Sequence, residues 1–166
     1  MTASIKTVDP AGNEFLASLE ARSKQANLFF RALANRPDVL KNFVPFYGAV
    51  MGPGSVERRI KELVYLTCSY TNRCAFCTAA HTAAGAKAGI TEQEMQSLQA
   101  GVEVEFSEPE LAAIRYAREL TRTAAAATTR EALSAHFNDE QIVEITLVAA
   151  TANWTNRFNN GLAILP

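Results

Sequence analysis

Thiols, imidazoles and indoles are scarce in this chain: 166 residues carry three cysteines, two histidines and one tryptophan. Three cysteines are too few for a disulfide scaffold. Neither sign of charge prevails, with 16 basic against 17 acidic side chains, so there is no basic field to attract nucleic acid and no nucleic-acid partner is expected. No uncharged apolar run approaches the roughly 20 residues that a membrane-spanning helix needs, which excludes a membrane partner of that kind. The first twenty residues hold Lys6, Asp9, Glu14 and Glu20 and no continuous apolar stretch, so they do not read as a secretory leader. The expected location is the cytoplasm, where thiols are kept reduced and a lasting structural disulfide is disfavoured. Glycine and proline number 8 and 6 and form no linker, and no repeat or low-complexity segment interrupts the chain. A single domain over residues 1–166 is expected, with apolar residues at 48% and enough length to bury a core without staples or metals.

What is present is helix punctuation. Thr91 with Glu94, Ser107 with Glu110, Thr128 with Glu131 and Asn138 with Gln141 each place a capping residue three positions before Glu or Gln, ahead of an Ala-, Leu- or Ile-rich run. Gly89 and Gly101 stand where helices would end, Pro37 fits a first turn, and MGPGS at 51–55 is a break. Helices are predicted near 13–34, 37–50, 55–71, 73–88, 92–100, 108–125, 129–137 and 139–163, the last with a candidate break near 153–156. The one alternating segment, Val102 to Phe106, has no partner strand and reads as an extended connector. The fold class is all-α.

Chemistry concentrates in NRCAFCTAAH, residues 72–81, where Cys74, Cys77 and His81 follow one another at spacings of three and four. A disulfide staple, a metal site, a redox-active thiol pair and an accident of a small-residue helix are the four readings. With Asn72 as N-cap, all three side chains project from one helix face. Upstream, Glu62 lies on a helix that is apolar nearly all round from Leu63 to Cys68, where a carboxylate withdrawn from water would hold protons more tightly. The plainer reading pairs Glu62 on the surface with Arg58 or Arg59. Glu62, Cys74, Cys77 and His81 would also supply four zinc ligands, although three ligands on one uninterrupted helix make a poor tetrahedron. A thioredoxin fold would need strands around the motif, and none are readable.

The set Glu62, eleven residues, Cys74, two residues, Cys77, three residues, His81, within ELVYLTCSYTNRCAFCTAAH, resembles the AhpD-like alkylhydroperoxidases of the carboxymuconolactone decarboxylase superfamily. The resemblance spans about Pro37 to Tyr116, and the ending NWTNRFNNGLAILP is similar to that of the short peroxidase-related members. It implies an all-helical domain with the Cys pair at the start of a central helix, trimeric or hexameric assembly, and no metal or organic cofactor. It implies Cys77 as the thiol that attacks a hydroperoxide, Cys74 as the resolving thiol, Glu62 and His81 as a proton relay, and an external dithiol such as a lipoyl group as reductant. The helix dipole alone would favour Cys74 as the more acidic thiol, whereas His81 lies one turn from Cys77 and two from Cys74. Where better-described members carry a histidine before the second cysteine, this chain has Phe76. The decarboxylase branch needs no cysteine pair, and a non-enzymatic redox-sensing or metal-binding helical module is the alternative from another class.

Other residues carry weaker signals. Cys68 reads as a small buried hydrophobe and His136 as a helix-end surface residue. Ser69 is a candidate hydrogen-bond donor within the site. Asn153, Asn156, Arg157 and Asn160 crowd a helix despite the low helix propensity of asparagine, which points to tertiary use, and the recurrence of Trp154, Phe158 and Leu162 suggests a subunit contact.

Overall fold

The Asn13 side chain accepts a hydrogen bond from Leu16 N and starts the first long element of the computed structural model, which describes residues 2–103 and 106–166. Helix α1 runs Glu14–Ser23 and α2 Leu28–Leu33, so the predicted single helix over 13–34 is two. Lys24 adopts a left-handed conformation with φ 55°, which ends α1, and Asn27 then caps α2 through Phe30 N. The remaining helices are α3 (Pro37–Met51), α4 (Arg58–Thr71), α5 (Ala75–Lys87), α6 (Glu92–Ala100), α7 (Glu108–Thr123), α8 (Arg130–Ser134) and α9 (Asp139–Gly161). Helix α9 is continuous through 153–156. Among the described residues the only extended pairing is one bridge between Thr2 and Leu165. Val104 and Glu105, the centre of the expected connector, lie outside the described residues.

Three of the four capping boxes form, at Thr91, Ser107 and Asn138. The fourth does not, because the Thr128 and Thr129 hydroxyls both donate to Glu119 at 2.8 and 2.5 Å, and α8 starts after Thr129 instead. Those hydrogen bonds hold the Glu119 carboxyl down to about 2. Gly89 and Gly101 do take left-handed conformations, with φ 85° and 76°.

Helix α4 is the axis of the molecule: every residue from Lys61 to Ser69 is buried, and it packs against α5, α7 and α9. An element apolar on all sides needs neighbours on all sides, which is why the helix before the Cys motif is central. Its polar residues are tied individually. Arg59 reaches Glu94 and Glu110, the two capping-box carboxylates at the starts of α6 and α7. Lys61, 1% exposed, donates to Val50 O at 3.0 Å and Gly52 O at 2.6 Å and pairs with Glu144 of α9. Glu144 also accepts from Ser55 N and Oγ, both at 2.8 Å. A Cβ on Gly54 would lie 2.0 Å from Glu144 Oε1. Held by Lys61 and Ser55, that carboxylate has no room to retreat, so Gly54→Ala is expected to lower unfolding free energy by about 1–3 kcal/mol in a urea titration.

Candidate active site

The motif helix is capped differently from the expectation. Asn72 is the C-cap of α4, Arg73 turns the chain with φ 54°, and Cys74 is the N-cap of α5, its Sγ accepting from Cys77 N at 3.3 Å. The tight αα turn takes up the two residues that the sequence pattern assigned to the start of α5. Cys74 and Cys77 are joined as a disulfide with their Cα atoms 5.3 Å apart, and both are buried. Cys77 and His81, one turn apart on α5, stay on a common side and line one cavity of about 100 Å³.

Glu62 is 0% exposed, and its two oxygens have different partners. Oε1 accepts from Arg58 Nε at 2.8 Å, so the Arg58 pairing exists while Arg59 points elsewhere. Oε2 lies 2.7 Å from His81 Nδ1. The other ring nitrogen, Nε2, is 3.0 Å from Tyr47 Oη. Burial pushes the Tyr47 phenol well up, with the neighbouring Tyr65 and the Glu62 charge adding to the rise. The phenol therefore keeps its proton and donates it to Nε2, which leaves Nδ1–H to donate to the Glu62 carboxylate. The imidazole stacks on the Tyr65 ring at 3.4 Å between centroids, and Tyr65 Oη is 2.5 Å from Thr155 Oγ1. Orientation, tautomer and face of His81 are thus all set by neighbours.

The four residues singled out by spacing come together in three dimensions, but as two linked units. Glu62 and His81 form one, Cys74 and Cys77 the other, and the Nε2 hydrogen bond that faces away from Glu62 goes to Tyr47 rather than to Cys77. The partner of Cys77 Sγ is Asn159 of α9, whose Nδ2 donates at 3.2 Å. Tyr47 and Asn159 were not singled out by the motif. Tyr47 shares a face of α3 with Phe43 and Val50, a position where a buried phenol needs a partner. Asn159 sits among the asparagines of α9, three residues past Asn156 on the same face.

The other asparagines serve contacts within the chain. Asn72 Nδ2 donates to Asn153 and Asn156 Oδ1, Asn156 donates to Ser69 Oγ, and Asn160 donates to Asn72 O, so α9 clamps the α4–α5 turn that carries Cys74. Ser69 donates to Tyr65 O and so supports the site from behind. Trp154 and Phe158 stack on each other and against Phe29 and Phe43. Cys68 is fully buried, and burial pushes its thiol up to about 12, which keeps it out of thiolate chemistry. His136 is exposed. The zinc set is not assembled: the cysteines bond each other and Glu62 bonds Arg58 and His81, and among the described residues no group of three or more His, Cys, Asp or Glu side chains is placed to hold a metal. Among the described residues no helix is long and apolar enough to cross a membrane.

The chain is similar to several known proteins. An uncharacterised Bacillus subtilis (strain 168) protein, YdfG, is 32% identical over 109 residues, covering 63% of this chain and 74% of that one. Among solved structures, a protein of unknown function from Agrobacterium tumefaciens, described as a putative antioxidant defence protein AhpD, is 28% identical with a TM-score of 0.72, over 81% of this chain and 94% of that one. An uncharacterised peroxidase-related protein from Ralstonia eutropha JMP134, described as an alkylhydroperoxidase AhpD core, has a TM-score of 0.86 at 20% identity, over 99% and 92%. The same fold serves a debrominase, Bmp8, solved with 2,3,4-tribromopyrrole, at a TM-score of 0.81 and 13% identity over 98% and 91%. The model of the carboxymuconolactone decarboxylase family matches residues 37–119, half of the sequence. The chain belongs to the carboxymuconolactone decarboxylase family, in the superfamily whose AhpD-like branch its Glu62, Cys74, Cys77 and His81 resemble.

Proposed function

We propose that this protein is a thiol-dependent hydroperoxidase in which Cys77 attacks, Cys74 resolves, and Glu62, His81 and Tyr47 move the proton. The observation that carries this reading is the burial of a Glu62–His81 pair at 2.7 Å beside a Cys74–Cys77 disulfide whose Cys77 lines the same cavity as His81. A structural staple has no need of a polarised imidazole in its cavity.

In the reduced protein the Cys77 thiol gives its proton to the Tyr47–His81–Glu62 chain, where the carboxylate offsets the charge gained by the ring. The thiolate sulfur attacks the terminal oxygen of a hydroperoxide, an S–O bond forms, the O–O bond breaks, and the leaving alkoxide takes the proton back as an alcohol. Cys77 has lost two electrons and is a sulfenic acid. Cys74 Sγ attacks that sulfur, the hydroxyl leaves as water with the Cys74 proton, and the disulfide forms. An external dithiol, of the lipoyl type by resemblance, restores both thiols by exchange. Cytoplasmic residence and trimeric or hexameric assembly belong to the same reading.

The test is hydroperoxide consumption by the protein with dihydrolipoamide as reductant. Turnover that requires both substrates is expected, and absence of turnover with a panel of small hydroperoxides would overturn the reading. Within it, Glu62→Gln is expected to slow thiolate formation by about 10²-fold and Tyr47→Phe by about tenfold, read as the iodoacetamide alkylation rate of reduced Cys77.

A further inference from the structure

Asn159 has one half of its amide engaged and the other half free. Nδ2 donates to Cys77 Sγ at 3.2 Å, while Oδ1 is the one buried side-chain nitrogen or oxygen atom without a hydrogen-bond partner among the described residues. The residue is 2% exposed and lines the cavity over Cys77. Buried acceptors are almost always satisfied, and leaving one unmade is destabilising, so an open acceptor on a residue that lines a cavity marks the place of a donor supplied from outside. The amide cannot be turned to avoid this. The Cys77 sulfur accepts through its lone pairs and has no proton to give in the disulfide, so Nδ2 faces it and Oδ1 is directed away from Cys77.

The rest of the cavity narrows what that donor is attached to. Phe29, Phe30, Phe43 and Phe76 form apolar walls. Several other polar atoms lining it are already occupied: Asn27 Oδ1 caps α2, Thr155 Oγ1 bonds Tyr65, and Tyr47 bonds His81. No lysine or arginine lines it, and the His81 ring that does is committed to Tyr47 and Glu62, so an anionic ligand has no free counter-charge there. With a volume of about 100 Å³ and an opening to solvent, it suits a compact aliphatic group.

We propose that Asn159 determines specificity by accepting a hydrogen bond from the O–H of a small aliphatic ligand while holding the Cys77 sulfur with the same amide. Oδ1 and Nδ2 share one rigid plane, so an O–H docked on Oδ1 is held next to the sulfur that Nδ2 holds. This rests on the hydroperoxidase reading for the identity of the ligand: the terminal oxygen of an alkyl hydroperoxide is both the hydrogen-bond donor and the atom attacked. Dialkyl peroxides, which lack the O–H, are excluded by the same contact; after attack the terminal O–H stays on Cys77 as the sulfenic acid, and the alcohol leaves with a new O–H on its other oxygen.

Binding separates this assignment from turnover. The disulfide form is titrated with cyclopentanol and with cyclopentanone, matched rings of which only the alcohol donates, following amide chemical shifts of cavity residues by NMR. The alcohol is expected to bind about tenfold more tightly, because the ketone sets an acceptor against Oδ1. Equal or inverted affinities would overturn the role of Asn159 whether or not the protein consumes hydroperoxides. In Asn159→Leu, verified as folded by circular dichroism, the preference for the alcohol is expected to vanish, and its persistence would equally overturn the assignment. The wild-type comparison decides the matter alone if that variant does not fold. Conversely, a clear alcohol preference in a protein that turns over no hydroperoxide would leave the Asn159 contact standing and remove the peroxidase reading.

Discussion

Cys77→Ser is expected to lower hydroperoxide turnover by about 10³-fold or more, since a serine hydroxyl at neutral pH is not a nucleophile toward an O–O bond and no other thiol can replace it. Cys68 is sealed in the core with its thiol pushed up to about 12, and Cys74 lies at the N-cap, outside the set of residues lining the cavity. Cys74→Ser is expected to behave differently. It should consume close to one equivalent of hydroperoxide and then stall with a sulfenic acid at Cys77, detectable by dimedone labelling and mass spectrometry. If the two substitutions behave the opposite way, with Cys74 trapped as the sulfenic acid, the helix-dipole argument outweighs the His81 argument and the thiol roles reverse.

Lys61→Met carries the largest expected effect on stability. The ammonium is buried with three acceptors, Val50 O, Gly52 O and the Glu144 carboxylate, and its removal strands two carbonyls and a carboxylate at the junction of α3, α4 and α9. Breaking a buried pair by deleting one partner costs about 3–5 kcal/mol, which for a chain of this length is on the order of 10 °C in melting temperature. Calorimetry and urea titration check this. The pH dependence follows from the carboxylate side of the pair. Burial raises the Glu144 carboxyl, but hydrogen bonds from Lys61 and Ser55 outweigh it and hold the group below its ordinary 4.5. A carboxyl lowered on folding contributes stability above its unfolded value and loses it as pH falls through the folded one. Stability should therefore drop as pH falls below about 4.5, and more shallowly in Glu144→Gln than in the parent.

Much of the architecture was legible because helix ends are written locally. The capping boxes at Thr91, Ser107 and Asn138 and the glycines at 89 and 101 depend on four or five adjacent residues, and they lie where expected. Two of the failures have one cause in common. Thr128 and Thr129 were drawn to Glu119 on α7, and Asn72 became the hinge of the α4–α5 turn because Asn153, Asn156 and Asn160 hold it there. In each case a partner distant in sequence outcompeted the local pattern. The N-terminal helix divided for a nearer reason, a left-handed Lys24 followed by an Asn27 cap inside a run with no glycine or proline to signal it.

The site divides along the same line. Glu62, Cys74, Cys77 and His81 were legible as a spacing, and the hydrogen bond between Glu62 and His81 joins two elements adjacent in the chain. Tyr47 and Asn159 come from α3 and α9, 30 residues before Cys77 and 82 after it, and nothing local distinguishes them. Lys61 was equally hidden. Within ERRIKELVY it reads as one more surface cation, and only the tertiary fold places carbonyls of α3 and a carboxylate of α9 around it.

The most direct measurement is a thiol count on the fully reduced protein treated with one equivalent of tert-butyl hydroperoxide and then denatured. The expected result is a fall from the three cysteines of the sequence to one, release of one equivalent of tert-butanol, and a mapped Cys74–Cys77 disulfide with Cys68 free. Three thiols remaining and the hydroperoxide intact would contradict the assignment of this cavity as a peroxide-reducing site.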